Sequence, residues 1–310
     1  SSDGEALAIL PSAPNGTLDY YNDPALWLNR RSRAMRSLVM TRIAFEDVNT
    51  AEASFLFEGG DLYFDIGPDG GPIAFFGNGS ARQDIALNTS SVKIVPIEGR
   101  AVGRIVPDGL SFEERVKKDL GSQVEVQILG GNEDGTPFSF HIDQGVLFLD
   151  DGVVVIPRYI GVPEDDGEGL KLKVLMESYR STLLGLGYEI KDLELAYESY
   201  IKKDPEGNFA IQSPINGIPY INRDASAKSI IFPVFEEDVP AGRWDSSALL
   251  EKQDLSGNSL IAYNTYEELG LTVQPVRDFS ASEHGNVHCM VLVVDYPIVD
   301  IDVPVSVYRD

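Results

Sequence analysis

Three stretches of this chain repeat one pattern: a charged amphipathic helix, a Leu-Gly pair, then a strand. Ser111 to Lys118 reads as a helix start, with Ser111 and Glu114 spaced as a capping box, and Leu120-Gly121 leads into the alternating run Val124 to Ile128. Val174 to Leu186 has helical spacing, Gly187 stops it, and Tyr188-Glu189-Ile190 follows. The third copy is Tyr263 to Leu269, Gly270, then Leu271 to Val276. A glycine just past a helix suits the left-handed C-terminal cap. The glycines lie 66 and 83 residues apart, which predicts an α/β chain built from repeated βαβ-containing modules. A weaker first copy runs from Ser32 to Met40 into Arg42 to Phe45.

Composition narrows what such modules can do. The 310 residues are 43% hydrophobic and 9% aromatic, enough for a sizeable folded core. No apolar run approaches the roughly 20 residues needed to span a bilayer, and no signal peptide opens the chain, so no membrane partner is expected. Net charge is −24, which argues against nucleic acid and favours a cationic small molecule or a basic protein or peptide. The acidic clusters Glu164-Asp165-Asp166 and Glu236-Glu237-Asp238 read as solvated loops. Calcium is the ion whose chemistry suits them, but neither has EF-hand spacing, and no cofactor is expected. Glycosylation-type triplets begin at Asn15, Asn78 and Asn88, and chance alone supplies such triplets. No Gly-x-Gly-x-x-Gly opens a helix and no phosphate loop is present, so nucleotide binding is not expected.

The chain has one cysteine, Cys289, and three histidines, His141, His284 and His288. A lone Cys makes no internal disulfide. It is a buried structural thiol, a free surface thiol, or a nucleophile. Cys289 stands at the edge of an apolar run, Met290 to Val294, beside a Gly-bearing loop. Compartment is barely constrained by one cysteine, with the cytoplasm slightly favoured.

Taken together, three ordered motifs resemble those of the guanidine-modifying superfamily, in its agmatine deiminase and protein-arginine deiminase branch. They are Phe57-Glu58-Gly59-Gly60-Asp61-Leu62, His141-Ile142-Asp143 and Gly285-Asn286-Val287-His288-Cys289. Ile218 to Asn222 with Ser229 to Pro233, and Tyr266 to Leu271, are similar to the family's later strand and helix units. The resemblance implies a pentein, a five-module α/β propeller with pseudo-fivefold symmetry, over 1–310 as one catalytic domain. Phe140 stands where the family has Gly. Asp23, in Asn22-Asp23-Pro24, matches the family's upstream Asp without its Arg neighbour, with Asp19 and Asp47 as fallbacks. Only 22 residues precede Asp23, so the N-terminal module is expected to be incomplete.

The implied activity is hydrolysis of a guanidino group of peptidyl-arginine or of an arginine derivative to a ureido group plus ammonia. A planar cation needs carboxylates to grip its N–H groups, a strong nucleophile, and a proton donor for the leaving amine. By resemblance Cys289 is the nucleophile and His141 the acid and base. Asp143 and Asp23 are the guanidinium carboxylates, and Glu58 is a further substrate contact. On a strand, Asp143 would share a side with His141. Two other readings are an amidinotransferase and a non-catalytic pentein that binds a partner.

Overall fold

The structure, a computed structural model, describes residues 7–10, 49–52, 55, 61–78, 81, 109–130, 141–149, 152–203, 209–222, 227–244 and 249–278. The chain divides into two compact units, one of 1–53, 94–104 and 292–310, the other of 54–93 and 105–291. In the first, β1 (Leu7–Leu10) pairs in parallel with β2 (Asn49–Glu52). The expected helical copy at Ser32 to Met40 lies outside the described residues.

Among its described residues the second unit contains one topology three times. β3 (Leu62–Ile66) runs antiparallel to β4 (Pro72–Gly77). Helix α1 (Phe112–Leu120) then leads to β5 (Glu125–Leu129), parallel to β4 on its other side. The next copy is β6 (Leu147–Phe148), β7 (Val153–Ile160), α2 (Gly167–Gly185) and β8 (Glu189–Ala196). A short helix, α3 (Tyr197–Tyr200), and the hairpin of β9 (Ile201–Lys203) and β10 (Phe209–Ile211) intervene. The third copy is β11 (Ile218–Asn222), β12 (Ala227–Val234), α4 (Gly257–Glu268) and β13 (Thr272–Arg277). Each is an antiparallel pair followed by a helical crossover to a parallel strand, as the repeated Leu-Gly units predict. The crossover is needed because a parallel strand cannot be reached by a tight turn.

Local chemistry explains the helix ends. Ser111 and Glu114 close a reciprocal capping box at the start of α1. After α2, the Gly187 N–H donates to the Leu184 carbonyl and the Tyr188 N–H to that of Leu183. After α4, Gly270 and Leu271 donate to Glu267 and Tyr266 in the same pattern. Both are Schellman caps, and both glycines take the positive φ that the motif requires, +87° and +79°.

The acidic clusters correct one expectation. Asp166 and Asp238 are not simply solvated. Asp166 accepts from the N–H groups of Glu168 and Gly169 at the start of α2, and from the Tyr197 hydroxyl at 2.8 Å. Asp238 is buried and accepts from the backbone and the hydroxyl of Ser259, in the first turn of α4. Orphan amides at a helix start favour a carboxylate acceptor, which draws both side chains onto their helices. Among the described residues no group of three or more His, Cys, Asp or Glu side chains is placed to hold a metal ion. None of the described helices is long and apolar enough to cross a membrane.

The middle strands of the three sheets carry the core. β4 buries Ile73 to Gly77, β7 buries Val154 to Pro157, and β12 buries Ile230, Phe232 and Val234. Pro157 and Pro233 lie on middle strands, where proline is normally excluded. Both fall beyond the last antiparallel partner, where the strand has a neighbour on one side only. Phe148 joins the first two copies, with ring centroids 4.6 Å from Tyr63, 4.7 Å from Phe75 and 5.9 Å from Tyr188. Asn78, which opens a glycosylation-type triplet, is buried at the end of β4.

Candidate active site

His141-Ile142-Asp143 forms a tight turn directly before β6, and this corrects the expectation of a strand. His141 is extended, at φ −70° and ψ 143°, and Ile142–Gln144 is a single 3₁₀ turn. The His141 carbonyl accepts from Gln144 N–H, and the Ile142 carbonyl accepts from Gly145 and Val146. The chain therefore folds back on itself within five residues, and a period-two argument about sides does not apply. His141 is half-buried, whereas Ile142, Asp143 and Gln144 are buried.

Main-chain groups of this turn are held from two directions. On one side, the Asp61 carboxylate accepts from the Ile142 N–H at 3.1 Å. Asp61 is buried just before β3, and Gly77 at the end of β4 leaves room for it. From the other side comes the segment 213–217, just before β11. The Ser213 hydroxyl donates to the Gln144 carbonyl at 2.8 Å, and the Asn216 amide donates to the Asp143 carbonyl at 3.3 Å. That segment is fixed in turn, because the Tyr266 hydroxyl of α4 donates to the Pro214 carbonyl at 2.9 Å. All three repeat copies thus contribute to holding one turn.

Electrostatics around the turn are anionic. Burial first, then the Asp65 and Asp143 carboxylates, push the Tyr63 phenol well above its usual range. The phenol therefore stays protonated near Asp143 at neutral pH, an uncharged surface beside a carboxylate. Tyr188 is displaced the same way, by burial and by its hydrogen bond to Asp65 at 2.8 Å. A buried carboxylate and a half-buried imidazole on one turn are groups that can hold a cation and move a proton.

The structure places His141 and Asp143 on one braced turn. Cys289, Asp23 and Glu58 lie outside the described residues, as do His284 and His288. Asp61, Ser213 and Asn216 were not assigned roles from sequence. Signals existed: Asp61 ends the Glu58-Gly59-Gly60 motif, and Ser213-Pro214-Ile215-Asn216-Gly217 has the composition of a tight turn.

No protein-family model and no curated protein sequence matches the chain. Solved structures do share its fold. An agmatine deiminase from C. jejuni superposes with a TM-score of 0.53 at 14% identity, over 92% of this chain and 66% of that one. A cysteine-to-serine form of a C. jejuni agmatine deiminase, solved with substrate bound, gives 0.51 at 14% identity over the same shares. A structural-genomics target named as an agmatine deiminase gives 0.54 at 18% identity, over 92% of this chain and 68% of that one. The chain therefore has the α/β fold of the agmatine deiminases, and the sequence resemblance is borne out at that level. It spans 66% of the length of the C. jejuni enzyme.

Proposed function

We propose that this chain is a cysteine-dependent hydrolase that converts a guanidino group to a ureido group plus ammonia. The observation that carries the reading is the braced turn presenting His141 and Asp143, in a fold shared with agmatine deiminases. One of those enzymes holds its substrate with a serine in place of a cysteine, which agrees with a thiol nucleophile. On this reading 1–310 acts as one catalytic domain, a five-module propeller whose strand ends converge on the site.

Cys289, as thiolate, attacks the central guanidinium carbon and gives a tetrahedral adduct. Asp143 and Asp23 grip the planar cation through its N–H groups, with Glu58 as a further contact. His141 protonates the departing nitrogen, so ammonia leaves and an S-amidino intermediate remains. A water molecule then gives a proton to His141 and adds to the same carbon. Collapse of that adduct, with loss of its hydroxyl proton to solvent, releases the ureido product and restores the thiolate. The steps written here call on no cofactor.

The substrate is a cationic guanidine. The net charge of −24 draws cations to the surface and extends the range to arginine in basic peptides or proteins. The test is a ureido-group assay with agmatine, free arginine and an arginine peptide side by side. Ammonia and ureido product from at least one, in equal amounts, is the expected result. Silence with all three overturns the reading.

A further inference from the structure

We propose that Asp61 is a positioning residue that sets where the His141–Asp143 turn stands relative to the guanidino group. This inference rests on the hydrolase reading above and adds a residue to that site.

The argument begins with what Asp61 holds. The residue is 3% exposed, and its carboxylate accepts from the Ile142 N–H at 3.1 Å, across 81 residues of sequence. Ile142 is the residue between the proposed acid-base group and the proposed guanidinium carboxylate. A bond to its main chain cannot be made with one of those side chains alone, so it moves both together. A carboxylate accepting a backbone N–H is a charge-assisted bond, shorter-ranged in its tolerance and stronger than a neutral pair.

The turn does not need Asp61 for its shape. The bonds from Gln144, Gly145 and Val146 back to His141 and Ile142 already close it. What they leave open is its placement against β3 and β4. The Asn216 and Ser213 side chains hold carbonyls of the turn. Asp61 holds the amide side, and the two together fix its orientation.

Gly77 makes the second observation. A Cβ built there would lie 1.9 Å from Asp61 Oδ1, 2.3 Å from Cγ and 2.5 Å from Oδ2. The carboxylate occupies the space a side chain at position 77 would take. Any larger residue at 77 therefore expels Asp61 or forces the strand away. Its three nearest atoms all belong to that carboxylate, so a side chain at 77 meets Asp61 first.

The test uses steady-state kinetics on the full chain with the best substrate of the ureido assay. Asp61→Ala should lower kcat by about 100-fold with little change in KM, the size expected for a reacting group displaced by about 1 Å. Asp61→Asn keeps an oxygen at the acceptor position and should recover most of the loss. Gly77→Ala should lower kcat in the same way, yet add little to the loss in the double variant, because the carboxylate its Cβ meets first is then gone. Circular dichroism and thermal melts confirm that each variant is folded. Should Asp61→Ala not fold, Gly77→Ala carries the test, with its expected loss of kcat at little-changed KM. A folded Asp61→Ala or Gly77→Ala with wild-type kcat overturns the role of Asp61 alone. So does full additivity of Gly77→Ala and Asp61→Ala. A wild-type chain inactive on all three guanidines overturns the hydrolase reading, and this inference with it.

Discussion

The Ser213 hydroxyl donates to the Gln144 carbonyl at 2.8 Å, joining two buried residues 69 positions apart in sequence. Ser213→Ala removes a buried donor while changing little volume. It is expected to lower unfolding free energy by about 1 kcal/mol in urea titrations, the net value of one such bond. Because the bond holds the candidate site, kcat should fall as well. Unchanged stability and unchanged kcat would together remove Ser213 from the brace.

Cys289→Ser is expected to abolish ammonia release while leaving the circular dichroism spectrum unchanged. The oxygen is close to isosteric with sulfur but is a far weaker nucleophile at neutral pH. Wild-type turnover by the serine form would exclude Cys289 as the nucleophile. Asp23→Asn should weaken both binding and turnover, and normal kinetics in that variant would point to Asp19 or Asp47 instead.

Asp238 carries a pH signature. Burial raises its carboxyl above the ordinary value, although the two bonds from Ser259 pull the other way. A carboxyl raised on folding contributes stability that is fully present below its unfolded value, near pH 4, and is lost as pH rises through the folded value. Melting temperatures of wild type relative to Asp238→Asn should therefore decline from about pH 4 upward and then level off. Parallel curves across that window would show that Asp238 does not titrate this way.

Gly187→Ala and Gly270→Ala isolate backbone conformation from packing. Among the described residues, a Cβ at 187 would meet only Pro68, at 3.7 Å and beyond, and at 270 nothing within 4 Å. With φ at +87° and +79°, the cost is that of holding alanine left-handed, about 1 kcal/mol each. Chemical denaturation measures this directly, and no loss at either site would mean the caps rearrange freely.

The sequence made helix ends legible where one local rule sufficed. The Ser111–Glu114 box and the Leu-Gly stops need only neighbouring residues. Helix starts were misread where tertiary contacts override propensity. α2 begins at Gly167 and α4 at Gly257, well ahead of the expected Val174 and Tyr263. Those first turns contain Gly167 and Gly169, or Gly257, Asn258 and Ser259, all weak helix formers. Asp166 holds the first of them and Asp238 the second. The same reasoning applies to the site. His141 and Asp143 stand out because their side chains match a motif. Asp61, Ser213 and Asn216 address main-chain groups, which every residue has, so no pairing pattern in the sequence betrays them.

The brace on the His141 turn also has a consequence for how the chain acquires its shape. Within each repeat copy, strands and helix meet across a few tens of residues, and such contacts close early and quickly. The bonds to the turn span 81, 73 and 69 residues and join different copies. They can form only after the copies have docked. In refolding from denaturant, recovery of helical signal should therefore run ahead of recovery of a working site. A chain arrested between the two would look folded by circular dichroism and yet be inert.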